Sequence, residues 1–259
     1  MTFTFLFTDI EGSTALLRRL GDGVYSGVLA DHHACIRSSI AAHGGREIDT
    51  QGEGMDIWPV IWAERKALAA DLKELDEDQW SMPSLCSQWT VRDVVAHMTA
   101  TAKITPAAFF PKLLLSGFSL SRLQAKDISA ETGASPADTL ARFNAVTTSV
   151  KHPPGPANTM LGETIVHAED IRNPLGIHHA YPTDAVVQAA DFFTGSNLII
   201  GAKRRISGLT LRATDTNWSH GSGSEVSGPL LALVMAMTGR KAAAGQLSGQ
   251  GVPALQARP

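Results

Sequence analysis

The pattern of apolar and polar positions divides the chain into a short mixed beginning and a long helical remainder. Residues 3–9 form an apolar run typical of a buried strand, residues 24–42 favour a helix, and residues 46–50 indicate a second strand. A strand–helix–strand unit needs further strands to bury its faces, and after Gly54 the spacing turns helical instead. We therefore predict a boundary between residues 54 and 55.

The remainder carries several helix signals. Leu68, Leu72 and Leu75 recur at helical spacing, and Thr90 with Asp93 matches a capping box at the start of a helix. Ser135 followed by Pro136 is a favourable helix start. The predicted helices cover residues 61–78, 90 to beyond 97, a segment punctuated by Pro106 and Pro111, 135–150, 158–173 (stopped by Pro174 and Gly176) and 183–205.

The C-terminal segment has a different pattern. Residues 209–213 alternate like a strand, residues 218–225 are rich in Gly and Ser and predict a turn region, and residues 227–238 favour a helix with Gly239 at its C-terminal cap. We therefore interpret residues 55–205 as a helix bundle and residues 206–259 as a small α+β part, so that the fold class is mainly α.

Composition narrows the class of protein. The chain has 259 residues, 44% of them hydrophobic, with 22 Lys+Arg against 25 Asp+Glu. No strongly basic face is indicated, two cysteines cannot build a disulfide framework, and no run approaches the roughly 18 apolar residues of a membrane span. We expect a cytoplasmic protein that acts on small molecules, with no nucleic-acid partner and no membrane partner.

Three residues suggest a metal centre. Glu163 and His167 stand four apart on one predicted helix, which places both side chains on the same face, and His97 lies on an earlier helix among apolar neighbours. Two imidazoles and one carboxylate are a ligand set that zinc enzymes use with an open coordination position. Spacing alone leaves the alternative open that His97 is a packed core residue and Glu163 and His167 a helix-surface pair.

Longer motifs surround these residues. The segment Pro83–His97 (PSLCSQWTVRDVVAH) resembles the first-ligand motif of the mycothiol-dependent maleylpyruvate isomerase family, part of the DinB-like superfamily. The segment Gly162–Gly176 (GETIVHAEDIRNPLG) resembles the second motif of that family, and Ser227–Arg240 resembles its C-terminal helix. The resemblance runs over residues 55–259, with the motifs in the order of the family.

The resemblance implies a DinB-like four-helix bundle with a divalent metal, most often zinc, held by His97, Glu163 and His167. It also implies mycothiol as the thiol cofactor and makes Arg240 a candidate to hold a substrate carboxylate. Asp170, three residues after His167, could accept a hydrogen bond from that imidazole or could be a surface charge, and both interpretations stay open. The chain departs from the family at Asn173, where relatives commonly carry Arg.

The N-terminal segment resembles a different family. Phe5–Thr14 (FLFTDIEGST) is similar to the opening of a class III nucleotidyl cyclase domain, in which the Asp matching Asp9 binds a metal ion. Ile48–Gly54 resembles the second metal motif of that domain, with Glu53 where the family has Asp. The longer acid would alter the geometry around Mg²⁺, and the remainder of a cyclase domain does not follow. We interpret residues 1–54 as a truncated, βαβ-like cyclase fragment without cyclase activity.

The leading hypothesis is therefore a zinc-dependent enzyme that uses a low-molecular-weight thiol on a small electrophile, as an isomerase or an S-transferase. An alternative from another class is a non-catalytic metal- or ligand-binding signalling protein derived from a cyclase fusion. A homodimer is allowed by the sequence but not required by it.

Overall fold

The computed structural model describes residues 56–197 and 200–258, which form a mainly helical structure with one small sheet. The segment Asp56–Pro259 forms one compact unit. The cyclase-like motifs, with Asp9 and Glu53, lie outside the described residues.

The first six helices carry their own start signals. Asp56, Asp76, Thr90, Thr105, Ser119 and Ser135 each accept a hydrogen bond from a backbone N–H of the first turn. Thr90 and Asp93 form the predicted capping box, and prolines occupy the first turns that follow Thr105 and Ser135. The helices are α1 (Ile57–Lys73), α2 (Glu77–Ser81), α3 (Val91–Thr101), α4 (Pro106–Leu115), α5 (Leu120–Glu131) and α6 (Pro136–Asn144).

The second half begins with α7 (Asn158–Leu175), which ends at Gly176 in the left-handed conformation, φ 69°. The other helices are α8 (Thr183–Gly195), α9 (Ala202–Arg205), α10 (Leu230–Met237), a 3₁₀ turn (Lys241–Gln246) and α11 (Val252–Ala257). Strands β1 (Leu209–Ala213), β2 (Ser219–Gly221) and β3 (Ser224–Gly228) form a sheet in the order β2-β1-β3. β1 pairs antiparallel with β2 and parallel with β3, so that Leu211 lies between His220 and Val226.

Several sequence-based element predictions were wrong, including the expectation that Pro174 ends α7, since it lies inside that helix, and one helix was missed. The helix expected over residues 183–205 ends at Gly195, and α9 begins separately after Gly201, which has φ 63°. The turn region expected over residues 218–225 contains β2 and the start of β3, because pairing with β1 organises a segment of low strand propensity. Helix α5 was missed, since it buries only Leu123 and Ile128 and therefore has weak apolar periodicity.

Two apolar clusters form the core of the described residues, and α7 contributes to both. One cluster joins the start of α1 to α7, α8, the sheet and α10, with Leu161, Leu211 and Leu233 among its members. The other joins α1, α3 and α6 to the later turns of α7, as Phe143 and Ile171 show. The larger cluster continues across residue 205, the boundary that we predicted between the bundle and the C-terminal part. No helix in the described part of the chain is long and apolar enough to cross a membrane.

Candidate functional site

His97 lies two turns into α3, where the Thr90–Asp93 capping box fixes the start of the helix. Its side chain is enclosed by the core, and the residue is 9% exposed. Burial, aided by the nearby His167 and Arg240 and opposed by Asp170, lowers the pKa of His97 to about 3. The imidazole is therefore neutral at physiological pH, which is the protonation state that binds a metal ion.

His167 faces His97 from α7. The two ring centroids are 5.0 Å apart and the rings meet edge to face at 80°. Trp89 contacts both imidazoles, with its ring centroid 4.8 Å from that of His97 and 6.2 Å from that of His167. Sequence reasoning did not single out Trp89, although it stands inside the motif that ends at His97. The structure thus brings two of the three predicted ligands together beneath one aromatic ring.

Glu163 lies one turn before His167 on α7. Its Oε1 accepts a hydrogen bond from the Thr101 hydroxyl at the end of α3, at 2.5 Å. Burial raises the pKa of Glu163, while His167, the Thr101 hydrogen bond and the guanidinium of Arg65 oppose that rise. Neither Thr101 nor Arg65 was predicted from the sequence. Arg65 could have been noticed as a charge on the apolar face of α1, where it is 1% exposed.

Asp170 is fully buried and contacts the Nδ1 side of the His167 imidazole. Its Oδ2 lies 2.9 Å from Nδ1 of His167, and both of its oxygens accept hydrogen bonds from Arg240. Burial alone would raise the pKa of Asp170, but the hydrogen bonds from Arg240 and His167 outweigh it and hold the pKa below its usual value. An ionised Asp170 assigns the proton of His167 to Nδ1 and leaves the Nε2 lone pair available. The surface-charge interpretation of Asp170 does not apply.

Cys86 adds a thiol to the same region. Its Sγ lies 4.0 Å from Nη2 of Arg240, and donor atoms of Cys86, His167 and Asp170 all lie within 4.8 Å of one another. That trio shares only His167 with the ligand set predicted from the sequence. Because Asp170 already accepts from Arg240 and His167, using it as a ligand would break a buried ion pair. Burial and then Asp170 raise the pKa of the Cys86 thiol, although Arg240 opposes them, which disfavours the ligating thiolate.

The structure also has a cavity of about 730 Å³, and none of the three predicted ligands lines it. Glu169, the neighbour of Asp170, lines it together with Asn173, His179 and Tyr181, and the far wall comes from the first turns of α10. The Tyr181 hydroxyl donates to Glu169 Oε1 at 2.8 Å. No Lys or Arg lines the cavity within the described residues, and Asn173 is the position where we expected relatives to carry Arg. The cavity can therefore hold a small organic molecule, and its basic side chains are those of His178 and His179.

Residues 61–152 match the family model of the mycothiol maleylpyruvate isomerase N-terminal domain. That match includes His97 and ends before Glu163. A search of the curated proteins finds no match.

Among solved structures, the chain is similar to a mycothiol-dependent maleylpyruvate isomerase, with 15% identity, coverage of 74% of this chain and 91% of that one, and a TM-score of 0.53. It is also similar to a histidine-to-alanine mutant of such an isomerase, with 16% identity, the same coverage and a TM-score of 0.52. At this identity the structural likeness shows a shared fold. The fold class predicted from the sequence, mainly helical with a small C-terminal sheet, is confirmed for the described residues.

Proposed function

We propose that His97, Glu163 and His167 bind one divalent metal ion, most favourably zinc. The observation that carries this proposal is the contact between the buried imidazole of His97 on α3 and the partly buried imidazole of His167 on α7, whose Nδ1 lies 2.9 Å from Oδ2 of Asp170. Nitrogen donors of neutral histidines with one carboxylate suit zinc and leave a coordination position open. The chemistry of these donors therefore suits the ion that the family resemblance implies, whereas the donor atoms that lie within 4.8 Å of one another are those of Cys86, His167 and Asp170.

We further propose that the site uses a low-molecular-weight thiol, mycothiol by resemblance, either to isomerise a small electrophile or to join the thiol to it as an S-conjugate. A bound divalent ion would favour the thiolate form of such a thiol and thereby supply the nucleophile. The protein itself would position the ligands: Asp170 orients His167, and Trp89 packs against the two imidazoles. Cys86, with its raised pKa, is poorly suited to serve as an internal thiolate.

Metal content tests the first part of the proposal. Purified protein is expected to carry about one zinc per chain by elemental analysis, and His97→Ala, Glu163→Gln and His167→Ala are each expected to remove most of it. His220→Ala, on exposed β2, is the matched control and should keep full occupancy. Full occupancy in His167→Ala would exclude this ligand set, whereas loss in Cys86→Ser with retention in His97→Ala would favour the Cys86–His167–Asp170 trio.

Thiol dependence tests the second part. The protein is incubated with an unsaturated keto acid such as maleylpyruvate, with and without mycothiol, and with an alkylating electrophile under the same conditions. Isomerised acid indicates an isomerase and an S-conjugate indicates a transferase. Turnover without added thiol, or ester hydrolysis that requires the same ligands, would contradict a thiol mechanism while leaving the metal site intact.

A further inference from the structure

Helix α4 and the turn after it expose an unusual amount of apolar surface. None of the ten residues of α4 is buried. Among the described residues, six large hydrophobic side chains are exposed. Five of them fall between residues 110 and 120, and the sixth is Val150. The five, here called the apolar patch, are Phe110 (62% exposed), Leu114 (60%), Leu115 (78%), Phe118 (73%) and Leu120 (50%). A concentration of this kind marks an interaction surface rather than ordinary scatter.

The backbone holds the patch in a defined hairpin between α4 and α5. Gly117 and Phe118 both have positive φ, 64° and 57°, and the Phe118 N–H donates to the carbonyl of Leu113 at 2.9 Å. The Nζ of Lys126 on α5 donates to the carbonyl of Leu115 at 2.9 Å. The apolar side chains therefore lie on α4, the turn and the start of α5, and hydrogen bonds hold these parts together.

The charge around the patch is positive. Residues 103–126 contain Lys103, Lys112, Arg122 and Lys126, all exposed, and no Asp or Glu. Lys103 and Lys112 pair with Glu131 and Asp127 on α5, at 2.6 Å and 2.7 Å. Arg122 and Lys126 form no ion pair with the described residues, so that the hairpin keeps a net positive charge beside its exposed apolar side chains.

We propose that the 106–126 hairpin adsorbs to the surface of an anionic lipid bilayer. Apolar side chains next to Lys and Arg suit the boundary between acyl chains and anionic headgroups, where the rings insert and the cations meet phosphate. A second copy of the chain is disfavoured, because a two-fold interface would bring each cation set against an identical set. The sequence suggested no membrane partner on the ground that nothing spans a bilayer, but adsorption requires no span.

Vesicle co-sedimentation of the full chain tests the proposal. Equimolar phosphatidylcholine and phosphatidylglycerol vesicles should bind the protein at low salt, whereas pure phosphatidylcholine vesicles should not, and added salt should weaken the binding. Phe110→Ser with Phe118→Ser should lower the partition coefficient at least about tenfold, since each ring loses its apolar contact. Lys126→Gln should lower it about fivefold through the loss of one cation.

The controls lie outside the hairpin. Val150→Ser removes an equally exposed apolar side chain and Lys66→Gln an exposed cation, and neither should change the partition coefficient. Circular dichroism and sedimentation velocity are recorded for every variant. Absence of binding to anionic vesicles, equal binding to neutral ones, or a dimer that dissociates in the Phe110/Phe118 variant would each overturn the proposal, the last by assigning the patch to a second copy.

Discussion

Arg240 donates two hydrogen bonds to Asp170, from Nε to Oδ1 at 2.9 Å and from Nη2 to Oδ2 at 2.6 Å. Its Nη1 donates to the carbonyl of Thr238 at 2.9 Å. The guanidinium that the resemblance assigned to a substrate carboxylate thus lies against a carboxylate of the chain itself. Arg240 follows α10 and Asp170 lies on α7, so the pair joins the C-terminal part to the helix that carries two proposed ligands.

This relationship predicts the effect of Asp170→Asn. The amide would leave Arg240 without its ion pair and would not specify the Nδ1 proton of His167, so we expect zinc affinity to fall about 10- to 100-fold. Competition with a chromogenic chelator measures the affinity. Asp127→Asn, which breaks the exposed pair with Lys112, is the control and should leave the affinity unchanged. Equal affinities for both variants would show that Asp170 does not orient His167.

The burial of His97 predicts an acid-labile metal-free protein. Its folded-state pKa of about 3 lies below the usual 6.5, so the unfolded chain takes up a proton that the folded chain does not. The stability that depends on neutral His97 is present above pH 6.5 and is lost as the pH falls towards 3, at up to about 1.4 kcal/mol per pH unit. Urea titrations of the metal-free protein across this window measure the slope.

A variant isolates the contribution of His97. The raised pKa of Glu163 acts in the opposite sense above its usual value of 4.5, so the slope of the intact protein contains both effects. His97→Asn should flatten the dependence between pH 6.5 and 3, and His220→Asn should not alter it. An unchanged slope in His97→Asn would mean that the proton uptake belongs to other groups.

An ion pair with a fully buried guanidinium should contribute more to the free energy of unfolding than an exposed ion pair. Arg172 is fully buried on α7, where its Nε donates to Asp71 at 2.7 Å and its Nη1 to the Tyr181 hydroxyl at 2.8 Å. Arg172→Met leaves Asp71 and Tyr181 without this hydrogen-bond donor and should lower the free energy of unfolding by about 3 kcal/mol. Arg212→Met breaks an exposed pair with Glu225 on the sheet and should cost less than about 1 kcal/mol. Chemical denaturation compares them, and equal costs would contradict a structural role for the Arg172–Asp71 pair.

Gly162 permits the close approach of α7 and α8. A Cβ at this position would lie 2.5 Å from Cζ of Phe193, so Gly162→Ala should destabilise the fold by about 1–3 kcal/mol. Adding Phe193→Leu should restore part of the loss by removing the ring. Gly195→Ala, where no atom lies within 4 Å of the added Cβ, should be close to neutral. Thermal unfolding of the three variants provides the comparison, and a neutral Gly162→Ala would show that the helices can separate without cost.

The sequence by itself determined those features that depend on local patterns. Thr90 and Asp93 predicted the start of α3, and Ser135 and Pro136 predicted the start of α6. Gly176 predicted the end of α7. These signals are local because capping uses backbone groups within a few residues. The motifs around His97 and His167 indicated the candidate centre in the same way. The ligand set itself remains a prediction that metal analysis will decide.

Only the tertiary structure decided which side chains from distant segments meet. The contacts of Trp89 with the two imidazoles, of Thr101 with Glu163 and of Arg240 with Asp170 join residues between 8 and 78 positions apart, and no local spacing encodes such contacts. The strands β2 and β3 likewise exist through their pairing with β1, since Gly and Ser have little strand propensity of their own. The sequence also did not predict that the apolar patch is exposed, because a run of Phe and Leu can be either buried by the fold or left on its surface.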